Sequence, residues 1–178
     1  MNDRKITNVG GITIFKRKFY LYYLLPLLLW LTVIYISSSQ SYETQNVQPM
    51  LGEFNLSWVE TFAKDISFQY GDSEVSLETR SPAAFVEFFL RKGAHLVVFA
   101  ILAILSYRVF YYMKAHQGIA SLGAWTFVTL YAAIDELRQH FHPYRSGMIE
   151  DVVLDSIGGL LGIAIIVVWR KWRGRDKS

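Results

Sequence analysis

Cysteine is absent from these 178 residues, which removes both a disulfide framework and a thiolate metal site. Charge of one sign is in small excess only, at +3, and no base-reading motif accompanies the basic residues, so nucleic acid is not an expected partner. No internal repeat and no low-complexity linker divides the chain, and its length suits a single domain over residues 1–178.

What is present is apolar, at 52% of residues, and it is gathered in blocks rather than in a short-period pattern. That favours a membrane protein over a soluble one. The first block, about 19–37, holds no charge and is long enough to cross roughly 30 Å of hydrocarbon. It exceeds a signal-peptide core and no small-x-small site follows, so it reads as a span that Pro26 kinks. Further blocks lie at about 93–113, 118–134 and 152–169. Arg108 falls near the end of the second, placed to snorkel to the interface, and Asp155 falls inside the fourth. The third is the shortest and least apolar.

Lys and Arg set the predicted orientation. Arg4, Lys5, Lys16, Arg17 and Lys18 precede the first block, and Arg170, Lys171, Arg173, Arg175 and Lys177 follow the fourth. Lys114 lies between the second and third, whereas segment 38–92 carries four basic and eight acidic residues. Both termini are therefore predicted to be cytoplasmic, with 38–92 and 135–151 outside. Trp30, Trp169 and Trp172 read as interfacial anchors.

Within the outer segment, Ile66 to Tyr70 and Val75 to Leu77 alternate apolar and polar residues around Gly71-Asp72, which predicts a short β-hairpin. Met50 to Ala63 reads as an amphipathic helix on the membrane. Ser81-Pro82 reads as an N-cap with proline at the first helical position, opening a helix that runs into the second span. The predicted fold is an all-α integral membrane protein, a four-span transmembrane helical bundle with a small extracytoplasmic hairpin and helix insertion.

Polar residues concentrate where the spans meet the outer surface. They are Lys92 and His95 on the second span, Glu136, Gln139 and Arg145 after the third, and Asp151 and Asp155 on the fourth. His95, Phe99 and Leu102 share a helical face, as do Asp151, Asp155, Gly158 and Gly162. The two glycines clear a stripe on which another helix can pack closely. A carboxylate one turn inside the boundary needs a partner, and a cation or His95 is the expected one for Asp155. Lys92 or Arg145 is expected to pair with Asp151 or Asp155. Arg91, Arg138 and Glu150 read as ordinary interfacial charges.

Arg91-Lys92-Gly93-Ala94-His95 with Phe99 and Leu102 resembles the first motif of the VanZ-like membrane proteins. Asp135-Glu136, Gln139, Phe141, Pro143 and Arg145, followed by Asp151-Val152 and a glycine-rich helix, resembles the second, and Ser38-Ser39-Gln40 resembles that family's opening. The likeness covers roughly residues 20 to 165. It departs at Asp155, where the motif has Asn, which adds a carboxylate and leaves the Asn's role untransferred. The resemblance implies a bacterial plasma-membrane protein of the cell envelope. It also implies a link to low-level antibiotic resistance against teicoplanin, a lipoglycopeptide acting at the outer membrane face. It brings no established reaction.

Four functions compete on these residues. One is binding or shielding of a lipid-linked cell-wall precursor, another membrane lipid or the lipoglycopeptide itself, with Arg145 and Lys92 on phosphate. The alternative is a membrane enzyme acting on a lipid-linked substrate. The spacing Arg145-x5-Asp151-x3-Asp155 parallels the Arg-x5-His-x3-Asp motif of type-2 phosphatidic acid phosphatases, but Asp151 stands where the nucleophilic His belongs. Acid–base work by His95 beside Glu136 or Asp151 is the other enzymatic form. A metal reading rests on His140, His142 and Glu136; the expectation drawn from sequence is that no metal or other cofactor is needed. The last reading is a polar network that only locks the bundle.

Overall fold

The computed structural model describes residues 17–113, 115–141 and 147–175. Four of its helices are long and apolar enough to cross a membrane, as the hydropathy blocks predict. The first, α1 (Arg17–Ser39), opens with a π turn at Tyr20–Leu24. Pro26 accounts for the widened turn. It has no N–H to give the Tyr22 carbonyl four residues back, and the Leu25 N–H reaches the Tyr20 carbonyl instead.

Two short helices follow, α2 (Gln48–Leu51) and α3 (Ser57–Ala63). The single amphipathic helix predicted over 50–63 is thus broken. Gly52 is a poor helix former, and the Asn55 side chain accepts from the Ser57 N–H at 3.0 Å, ending one helix and opening the next. Strands β1 (Ser67–Tyr70) and β2 (Ser73–Ser76) form the predicted hairpin, antiparallel, with Phe68 opposite Val75. Gly71 takes φ 57° in the two-residue turn.

Ser81 caps α4 (Pro82–Tyr112), its hydroxyl accepting from the Ala84 N–H at 3.2 Å, with Pro82 in the first turn. At 1.5 Å per residue its 31 residues span about 46 Å, more than the ~30 Å of hydrocarbon. The surplus turns carry the hairpin and α3, which bury Val59, Ala63 and Val75 against Phe85.

The remaining spans are α5 (Gln117–His140) and α6 (Ile149–Arg175). Helices α4, α5 and α6 make the tight core, and α1 packs on its flank. Glycines on α6 set the closeness. A Cβ at Gly158 would lie 2.6 Å from the Leu96 carbonyl oxygen, and one at Gly162 would collide with the Ala100 backbone. On its other side, a Cβ at Gly159 would come 2.9 Å from Val128 of α5.

Hydropathy predicts that the third span ends near Ile134, but α5 continues to His140. The reason is its buried stripe. Ala120, Ala124, Val128 and Ala132 are fully buried at four-residue spacing, and Asp135, Glu136 and Gln139 extend that stripe. Trp30 is also corrected: it is no interfacial anchor, because its indole N–H donates to the Val98 carbonyl at 3.0 Å and ties α1 to α4.

Candidate functional site: a polar cluster at the hairpin end

The buried stripe of α5 delivers carboxylates to the end of the bundle that bears the hairpin. Glu136 is 5% exposed and Asp155, on α6, 1% exposed, so neither is an ordinary surface charge. Both are buried because they lie on faces that pack.

Each helix meets its neighbour there through a polar contact. Lys92 Nζ lies 2.5 Å from Asp151 Oδ1, which also accepts from the Tyr70 hydroxyl at 2.6 Å. Burial, then the bond to Asp151, pushes the Tyr70 phenol well above its usual value, so it stays a donor. The same ammonium sits 4.4 Å from the centre of the Tyr70 ring. One turn deeper, His95 Nδ1 is 3.2 Å from Asp155 Oδ1, and the imidazole lies nearly parallel to Phe99, at 10°.

On α5, the Gln139 amide donates to Asp135 Oδ2 at 3.0 Å and to Glu136 Oε1 at 3.2 Å. The other Glu136 oxygen accepts the Met148 N–H at 3.0 Å. That contact needs the chain to run tightly past the end of α5, and Gly147 allows it, since any Cβ there would meet the Glu136 carbonyl. The Arg138 guanidinium donates to Asp135 Oδ1 at 2.9 Å and to the Ser38 and Ser39 hydroxyls at 2.6 and 2.8 Å. Glu87 pairs with Arg91 at 2.8 Å and accepts from the Gln48 amide at 2.6 Å.

Of the residues singled out from sequence, Lys92, His95, Glu136, Gln139, Asp151 and Asp155 come together across three helices. His95, Glu136 and Asp155 offer ligand atoms within 4.8 Å of one another. Arg145, with Pro143 and His142, lies outside the described residues. Arg91 and Arg138 are corrected: both are partly buried in ion pairs rather than free interfacial charges. Sequence reasoning misses Glu87 and Tyr70, and it names Asp135 as part of a motif but not as a site residue. The four-residue spacing of Glu87, Arg91 and His95 is the available signal for the first. Position in a hairpin gives none for Tyr70.

Two cavities flank this network. The larger, about 380 Å³, is lined by Arg80, Glu87, Arg91, Lys92 and Tyr70 among others. The smaller, about 280 Å³, lies between α1, α4 and α5. Ser38, His95, Asp135 and Gln139 line its polar part, and Val33, Ile34, Val98 and Phe99 its apolar part. Arg91 borders both.

A family model described as VanZ/LLP1 matches residues 23–170. No curated protein and no solved structure gives a match.

Proposed function

The chain belongs to the VanZ/LLP1 family, and from that premise we propose that it is a single-domain receptor for a lipid-tailed component of the bacterial envelope. The hairpin end faces outward across the plasma membrane and both termini lie in the cytoplasm, as the Lys and Arg distribution favours. The ligand is an envelope lipid, a lipid-linked cell-wall precursor or a lipoglycopeptide. Holding it there alters susceptibility to teicoplanin-type drugs.

One observation carries this reading: the smaller cavity is divided as an amphiphile is. His95, Asp135 and Gln139 offer hydrogen-bonding groups to a head, and Val33, Ile34, Val98 and Phe99 offer apolar surface to a tail. Arg91 adds a donor between the cavities, with Nη1 buried and unpartnered among the described residues.

The test compares teicoplanin and vancomycin susceptibility in cells with and without the protein. Vancomycin lacks the lipid tail. Ala94→Phe obstructs the smaller cavity while leaving every polar side chain of the network in the sequence, since Ala94 lines that cavity and is exposed. Reduced teicoplanin susceptibility, lost in folded Ala94→Phe protein, supports the reading. The drug role fails if neither drug responds. Should the purified protein also bind no envelope lipid in preference to another, the receptor role fails with it.

A second reading is favoured by the His95–Asp155 pair, which holds an imidazole by Nδ1 and leaves Nε2 for proton or phosphoryl chemistry on a lipid-linked substrate. Phosphate release from polyprenyl and phosphatidyl phosphates, unchanged in His95→Ala, would end it.

A further inference from the structure

We propose that His95, Glu136 and Asp155 together bind one borderline divalent cation of the Zn²⁺ class. The site takes one side chain from each of the three packed helices α4, α5 and α6, and their ligand atoms lie within 4.8 Å of one another. Ligands held about 2.0–2.2 Å from a tetrahedral Zn²⁺ are roughly 3.3–3.6 Å apart. His95 Nδ1 and Asp155 Oδ1 already stand 3.2 Å apart, so the cation takes the place of the proton between them. Glu136 closes the remaining gap by about an ångström, within the reach of one χ rotation.

Charge points the same way. Buried carboxylates are paired with a cation or coordinate a metal. Among the described residues, Lys92 is committed to Asp151, Arg138 to Asp135 and Arg91 to Glu87. Among those same residues Glu136 receives only neutral donors, the Gln139 amide and the Met148 N–H. Among the described residues, two buried carboxylates thus face one imidazole, and a divalent ion with neutral His95 balances them.

The surroundings match what a metal site needs. Gln139 and Met148 orient the Glu136 carboxylate, and Phe99 fixes the plane of the imidazole. His95 borders the smaller cavity, so a fourth ligand can enter from there. One nitrogen and two oxygens suit Zn²⁺ or Mn²⁺ better than Mg²⁺ or a thiophilic ion. The inference stands apart from the lipid reading, because metal uptake is measured with no lipid ligand present.

The experiment uses full-length protein in detergent, stripped with chelator and dialysed. Calorimetry with Zn²⁺ should give one equivalent per chain with release of a proton, and Co²⁺ should give a visible d–d spectrum of low-symmetry coordination. Glu136→Gln and Asp155→Asn, which keep shape but give up the charge and one acceptor oxygen, should each weaken Zn²⁺ by at least ~10-fold. Wild-type protein that takes up no Zn²⁺, and gains no thermal stability from it, overturns the proposal whether or not the variants fold. So does binding that survives both variants but is lost in His140→Ala with His142→Ala, which would place the metal on the His-x-His motif.

Discussion

Lys92 Nζ and Asp151 Oδ1, 2.5 Å apart, form an ion pair that joins α4 to α6 beneath the hairpin, with the side chains only 16% and 7% exposed. Removing one partner leaves the other charge buried. Lys92→Met should therefore destabilise the protein by about 3 kcal/mol. Lys92→Met with Asp151→Leu should recover much of that, because an apolar pair leaves no orphan charge. Thermal unfolding in detergent of both single variants and the double variant checks this. A double variant worse than the sum of the singles would show that the pair is not the unit.

Glycine substitutions are expected to separate by what each position faces. Gly162→Ala on α6 drives a methyl into the Ala100 backbone and should cost roughly 1–3 kcal/mol. Gly159→Ala meets side chains rather than backbone, Val128 first and then Trp125, and should cost less. Gly118→Ala on α5, with nothing within 4 Å, should be neutral or gain about 0.5 kcal/mol. Melting temperatures that fail to rank in that order would contradict the close α4–α6 approach.

Much of this is legible in the chain. Four apolar blocks, the Gly71-Asp72 turn and the Ser81-Pro82 helix start need only length, alternation and capping chemistry. His95, Asp151 and Asp155 stand out because titratable groups beside apolar spans are costly. What stays hidden depends on packing. Asp135 resembles the start of a loop because hydropathy falls there, yet the Ala120 to Ala132 stripe carries the helix onward. Tyr70 joins the network only because the hairpin folds over the end of α6. The break at Gly52 lies in a segment whose composition permits one helix.

Tyr70 gives the protein an alkaline limb. Its phenol is raised above the ordinary value by burial and by the bond to Asp151, so the unfolded chain releases this proton at lower pH than the folded one. The stabilisation is complete below the unfolded pKa of ~10 and is lost as pH rises beyond it. Thermal melts between about pH 8 and 11 should fall more steeply for wild type than for Tyr70→Phe. Parallel curves would mean that Tyr70 titrates alike in both states.

Arg108 and Pro26 are linked through a carbonyl that neither owns. Pro26 has no N–H for the Tyr22 oxygen, and Arg108 Nη2 supplies one at 3.2 Å while its guanidinium sits 5.4 Å from the Tyr23 ring centre. The arginine near the end of its span thus also serves a proline-broken ladder on its neighbour. Arg108→Gln in the wild-type background removes a charged donor and should cost about 1.5–3 kcal/mol. In a Pro26→Ala background the restored backbone N–H reaches the same carbonyl, so the further loss on Arg108→Gln should be much smaller. A double-mutant cycle read by thermal unfolding measures the coupling. Independent, additive effects would show that the proline and the arginine do not share the Tyr22 carbonyl.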